Sequence, residues 1–123
     1  MFTINYHSRE PIYSQLYNDV VRMIGMGVLL PNTKLPTVRS VAQELGVNPN
    51  TVAKSYQLLE QNGYICSAVG KGSFVSDNIN IITEKKREAK ENLTDALSAA
   101  SDAGIMKDDV YGIVDEFYTG GRI

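Results

Sequence analysis

One cysteine, Cys66, and one histidine, His7, occur among the 123 residues. A lone cysteine makes no internal disulfide, and without a CxxC or HxxxH spacing the usual zinc sites are excluded. The two residues stand 59 positions apart, which gives no reason to pair a thiol with an imidazole base for nucleophilic catalysis. Cys66 is expected as a half-buried strand residue, and His7 as a solvated residue of a tail-like lead-in. Apolar runs are equally scarce. The longest, such as Val28 to Leu30, are far below the ~20 residues that cross a bilayer, and the N-terminus lacks the basic, apolar, small-residue order of a signal peptide. These absences predict a cytoplasmic protein with no membrane partner. A phosphate loop fails on spacing, because Gly72 follows Lys71 where Ser or Thr is required and Ile65 stands where the first glycine belongs. No cofactor and no enzymatic activity are implied.

What remains is a small chain, 43% apolar and 21% charged, sized for one modest core and at most a small appendage. The net charge of -2 is unevenly spread. Residues 1–76 carry six Lys or Arg against four acids, whereas residues 77–123 carry six against ten. A mildly basic front and an acidic rear suit a reader of a polyanion with a separate tail, since a binding face depends on local charge.

Phe2, Ile4 and Tyr6 alternate with polar residues, which predicts a short extended lead-in that packs on the domain. Pro11 opens a first helix, where a missing N–H does no harm. Its apolar stripe is Ile12, Tyr13, Leu16, Tyr17, Val20, Met23 and Ile24, and it ends around Gly25 and Gly27. The stretch from Leu29 to Pro36 reads as a turn, with Asn32 tolerant of the left-handed region. Thr37 caps a second helix of barely two turns that buries Val38, Val41, Ala42 and Leu45 and stops at Gly46. Asn48 and Pro49 then start a third helix, running to Gln61 or Asn62, which turns Val52, Ser55, Tyr56 and Leu59 inward. Asn50, Thr51, Lys54, Gln57 and Gln61 are left on its other side. Tyr64–Ser67 and Ser73–Ser76 read as strands of a hairpin around Ala68-Val69-Gly70-Lys71-Gly72.

Beyond Asp77 the composition turns to Glu, Lys, Ala and Asp and reads as helical. One narrow stripe runs through Ala89, Leu93, Ala96, Leu97 and Ala100. A denser one, through Val110, Ile113, Val114, Phe117 and Tyr118, follows a capping pair Asp108-Asp109. Two short helices cannot bury these stripes against each other alone, so a homodimer with a shared bundle is the economical expectation, using Leu93, Ala96, Leu97, Ala100, Val110, Ile113, Val114 and Phe117. Thr119 to Ile123 is expected as a loose end.

Two helices joined by so short a turn deliver the polar flank of the second to a DNA major groove. Arg39, near the exposed start of the second helix, has the fork for a guanine edge. Asn48 is first a cap and secondarily a base or phosphate contact. Asn50 and Thr51 lie where a helix start aims free N–H groups at anions, and Lys54 adds a cation to the same flank. Gly70 and Lys71 offer the hairpin loop to the duplex.

The string Pro11-Ile12-Tyr13-Ser14-Gln15-Leu16, then Leu35-Pro36-Thr37-Val38-Arg39, Gly46-Val47-Asn48-Pro49-Asn50-Thr51-Val52, Asn62-Gly63-Tyr64-Ile65 and Gly70-Lys71-Gly72-Ser73-Phe74-Val75 closely resembles the winged helix-turn-helix of GntR-family bacterial transcription regulators. The short tail resembles the YtrA subfamily, whose tails serve dimerisation. The resemblance implies DNA contacts at Arg39, Asn48, Asn50, Thr51, Gly70 and Lys71. Pro31-Asn32 stands where Pro-Gly is common, and Thr37 where Ser is. Ala68 and Val69 occupy wing positions often held by arginines, and Pro49 and Ala53 replace cationic residues of some branches, so nonspecific affinity should be low.

The expectation is therefore a mainly α protein with a small β-hairpin: a winged helix-turn-helix domain over residues 1–77 and a helical dimerisation tail over 78–123. As a homodimeric repressor it would occupy a pseudopalindromic double-stranded operator. The rival reading is a winged-helix protein–protein interaction module that never touches DNA. Neither composition nor spacing identifies a small-molecule effector.

Overall fold

Each helix of the front half starts and stops where local chemistry tells it to. The computed structural model describes residues 1–121. In it α1 spans Ile12–Gly25, with Pro11 just outside as its cap rather than inside as its first residue. Helix α2 spans Val38–Leu45; the Thr37 hydroxyl accepts from the Ser40 N–H, and Gly46 closes the helix at φ 67°. Only glycine takes that left-handed conformation without steric cost. Helix α3 spans Pro49–Gln61, capped by the Asn48 side chain. Strands β1, Ile65–Ala68, and β2, Gly72–Val75, form an antiparallel hairpin in which Ile65 faces Val75 and Ala68 faces Gly72.

Helix α3 packs on α1, α2 and β1, and the core gathers around it. Leu16, Val20 and Ile24 come from α1, Val41 and Ala42 from α2, Val52, Tyr56 and Leu59 from α3, and Ile65 and Val75 from the hairpin. Leu29 and Leu35 anchor the connection between α1 and α2. Asn32 within that connection takes φ 66°, so an asparagine fills a left-handed turn position that would otherwise favour glycine. Tyr17 meets Tyr64 edge to face, with centroids 6.2 Å apart.

Several expectations are corrected. Phe2 is buried, but Tyr6 is exposed and the lead-in forms no strand. Backbone hydrogen bonds hold the lead-in instead, from the Thr3 N–H to Asp19 and from the Asn5 N–H to Gln15. The stretch before α2 is more than a turn, because Lys34 pairs with Phe74 as a one-residue bridge along the free edge of β2. Cys66 is exposed rather than half-buried, since it points away from the face on which Ile65 and Val75 meet the core.

The rear is helical as read, but α4 is one 24-residue rod, Ile79–Asp102, not a short helix. Helix α5 spans Lys107–Glu116 and leads into a π-helical turn, Phe117–Gly121, where a loose end was expected. Residues 122 and 123 of that end lie outside the described residues. Asp108 and Asp109 do not cap α5. Met106 is its cap residue and the two acids sit in the first turn, where they favour the positive end of the helix dipole. The chain divides into two compact units, Met1–Thr83 and a second from Glu84 onward. The break falls beyond residue 77, because Ile82 packs against the front core and the Ile81 side chain fills the space beside Gly63.

Candidate nucleic-acid interface

The inward face of α3 is held by polar as well as apolar contacts, and these orient its outward face. Ser55 is fully buried and its hydroxyl donates to the Tyr13 carbonyl at 2.7 Å, tying α3 to α1. The Tyr56 hydroxyl donates to the Pro36 carbonyl at 2.6 Å, fixing α3 against the chain just before α2. Burial pushes the Tyr56 phenol up to about 12, because a phenolate there would lose its water. Asn50, Ala53, Lys54, Gln57 and Gln61 are left exposed and Thr51 half-buried. The acid on this helix, Glu60, accepts from the Ser67 N–H and hydroxyl on β1, both at 3.3 Å. Its charge is thereby turned to the hairpin.

Asn48 behaves first as a cap: its side-chain oxygen accepts from the Asn50 N–H at 2.8 Å, while its backbone carbonyl accepts from the Thr51 N–H at 3.0 Å. Pro49 has no N–H to give. The first-turn donors expected to point at an anion are therefore already occupied. Asn50 and Thr51 present side chains, not free backbone, to a ligand.

Arg39 is exposed in the first turn of α2, two residues after the Thr37 cap. Among the described residues no carboxylate lies within ion-pair reach of Arg39, Lys54 or Lys71. The Lys54 ammonium instead lies over the Tyr13 ring, 3.8 Å from its centroid. Tyr13 is the residue that inspection of α3 alone missed. It was legible only as part of the α1 stripe, since nothing local couples positions 13 and 54.

The hairpin tip is Val69, Gly70 and Lys71, closed by a hydrogen bond from the Lys71 N–H to the Ala68 carbonyl at 2.9 Å. Gly70 takes φ 73° and Gly72 φ 110°, conformations that need glycine. Val69 is wholly exposed. All seven residues singled out for DNA thus lie in the front unit, on α2, on α3 with its cap, and on the hairpin attached to α3.

In the rear unit Ala100 and Val110 are half-buried, whereas Leu93, Ala96, Leu97, Ile113, Val114 and Phe117 are exposed. Leu93 and Ile113 show 59% and 60% of their surface, too much apolar area for a helical unit to leave in water without cause. Arg87 is paired with Glu84 and Glu91 on α4. No helix among the described residues is long and apolar enough to cross a membrane.

Comparison with known proteins matches residues 12–75 to the family described as "Bacterial regulatory proteins, gntR family". The chain is 35% identical over 107 residues to the HTH-type transcriptional repressor YtrA of Bacillus subtilis, covering 85% of this chain and 82% of that one. It is similar to the structure of a GntR family transcriptional regulator from Listeria monocytogenes, with TM-score 0.74 and 28% identity over 90% of this chain and 98% of the other. It is also similar to the DNA-binding domain of AraR solved in complex with operator ORX1, with TM-score 0.54 and 30% identity over 61% of this chain and 93% of that one.

Proposed function

The chain belongs to the gntR family of bacterial regulatory proteins, and on that premise we propose that it is a homodimeric repressor that occupies a pseudopalindromic operator. The outward flank of α3 carries this reading: a capped, polar surface whose acid is turned aside to β1 and whose inner face is locked to α1 and to the start of α2. Such a helix fits a major groove without repelling phosphate. The likeness to a domain solved on operator DNA supports the same docking.

In this reading Arg39 takes a guanine edge from the major groove. Asn48, Asn50 and Thr51 meet bases and backbone at the helix start through their side chains, and Lys54 adds a phosphate contact. Gly70 and Lys71 bring the wing to the flanking minor groove, where glycine permits close approach and the ammonium meets the negative potential. The exposed stripe on α4 and α5 pairs two chains, so that two α3 helices reach successive grooves about 34 Å, or a small multiple, apart. Repression follows from steric occupancy of promoter DNA, with no covalent step. Residues 1–77 supply the reader and 78–123 the pairing tail, with the first turns of α4 also bracing the reader.

The test is selection of bound fragments from genomic DNA at moderate salt. Enrichment of an inverted-repeat sequence is the expected result. Recovery of fragments without any shared sequence would sink the operator reading and leave a protein-interaction module in its place.

A further inference from the structure

Lys34 was read as part of a turn, but its backbone runs along β2. It bridges to Phe74, and the flanking residues complete the pairing. The Asn32 N–H donates to the Val75 carbonyl, the Leu35 N–H to the Ser73 carbonyl, and the Val75 N–H to the Thr33 carbonyl, at 2.8 to 2.9 Å. From a backbone position level with Phe74, the side chain travels along β2 towards the hairpin tip. Its Cε lies 3.1 Å and its Nζ 3.9 Å from the point that a Cβ on Gly72 would occupy. The bare backbone of Gly72 is the bed on which the lysine stem lies.

This path ends beside the loop Val69 to Lys71, whose own cation is Lys71. Ala68 and Val69 bring none. Lys34 is exposed, and among the described residues no carboxylate lies within ion-pair reach of it. An exposed lysine whose stem rests on Gly72 is a charge held in place yet free to bind.

We infer that Lys34 is a second phosphate-binding cation of the wing, acting with Lys71 on the duplex backbone. The inference rests on the DNA-binding reading above. A lysine recognises phosphate as a point charge, so the contact is independent of base sequence and is read in the salt dependence of affinity.

The experiment measures anisotropy of a labelled mixed-sequence duplex with the full-length wild type, Lys34→Met and Lys34→Arg across a salt series. Methionine keeps a stem over Gly72 but removes the charge, and arginine returns it. Lys34→Met should weaken binding and lower the slope of log affinity against log salt by about 0.9 for each protomer bound. Its deficit should accordingly shrink roughly 3.5-fold per protomer between about 50 and 200 mM salt. Lys34→Arg should restore the slope, and all three should melt together. A wild type that binds while Lys34→Met binds with the same slope overturns the inference and leaves the DNA reading standing. A wild type that binds no duplex even at low salt overturns both.

Discussion

The Lys54 ammonium lies 3.8 Å from the centroid of the Tyr13 ring, so a cation on the outer flank of α3 is held by a neighbouring helix instead of wandering in solvent. The same tyrosine accepts the Ser55 hydroxyl on its backbone carbonyl. One residue of α1 therefore restrains two successive positions of α3. A cation over an aromatic face at an exposed site contributes about 0.5–1 kcal/mol. Tyr13→Leu should lose roughly that much stability relative to Tyr13→Phe, which keeps the ring. A double-mutant cycle with Lys54→Met, followed by chemical denaturation, isolates the pair. Equal stability of the leucine and phenylalanine variants would show that the ring gives the ammonium nothing.

Among the described residues Arg39, in the first turn of α2, has no carboxylate within ion-pair reach. Arg39→Ala should weaken binding to the selected operator by about 1–3 kcal/mol, roughly 5- to 150-fold, with a smaller effect on mixed-sequence duplex. Sedimentation should show the same assembly state as wild type, since the tail is untouched. An operator shift indistinguishable from wild type removes this residue from the interface.

Tyr56 makes stability depend on alkaline pH. Its phenol sits above the ordinary value in the fold, at about 12, because of burial, so the folded state holds the proton more tightly than the unfolded one. The contribution is complete below about pH 10, where both states are protonated, and is lost as pH rises towards 12. Ultraviolet titration of wild type against Tyr56→Phe should assign the last-ionising native phenol to this residue. At neutral pH, Tyr56→Phe should cost about 1–2 kcal/mol, since the Pro36 carbonyl loses its donor. A Tyr56 that titrates near 10 in the native protein would refute the buried bond.

The tail stripe predicts assembly. Leu97→Glu combined with Val114→Glu places two charges on an exposed apolar face and should yield a monomer by equilibrium sedimentation, with the front unit's melting little changed. Operator affinity should fall with it, because linked half-sites bind as one. A shortened chain tested alongside should end after Thr83, since a cut at residue 77 would strip Ile82 from the front core. A wild type that sediments as a monomer at the concentrations used for DNA binding removes the twofold operator from the account.

Much of the front was legible because its signals are local. The Thr37 and Asn48 caps, the Gly46 stop, the left-handed Asn32 and the inward set Val52, Ser55, Tyr56 and Leu59 all follow from neighbours within a few positions. Cys66 was misjudged because strand alternation says that two faces differ, not which one the core will cover. The helix-start donors were misjudged for a related reason: a good cap satisfies the N–H groups that an anion would need.

The amino-acid order alone settled where α2 and α3 begin and end, which side of α3 is apolar, and that the hairpin loop carries Gly70 and Lys71. Hydrogen-bonding geometry and a repeat of three to four residues act over distances that the chain itself fixes. The fold alone decided that Ser55 meets Tyr13 across 42 positions and Tyr56 meets Pro36 across 20. It also decided that Lys54 rests on Tyr13 and Lys34 lies along Gly72. These partners share no local pattern. They meet because burying the apolar faces of α1, α2, α3 and the hairpin together leaves one arrangement in which the loops can close.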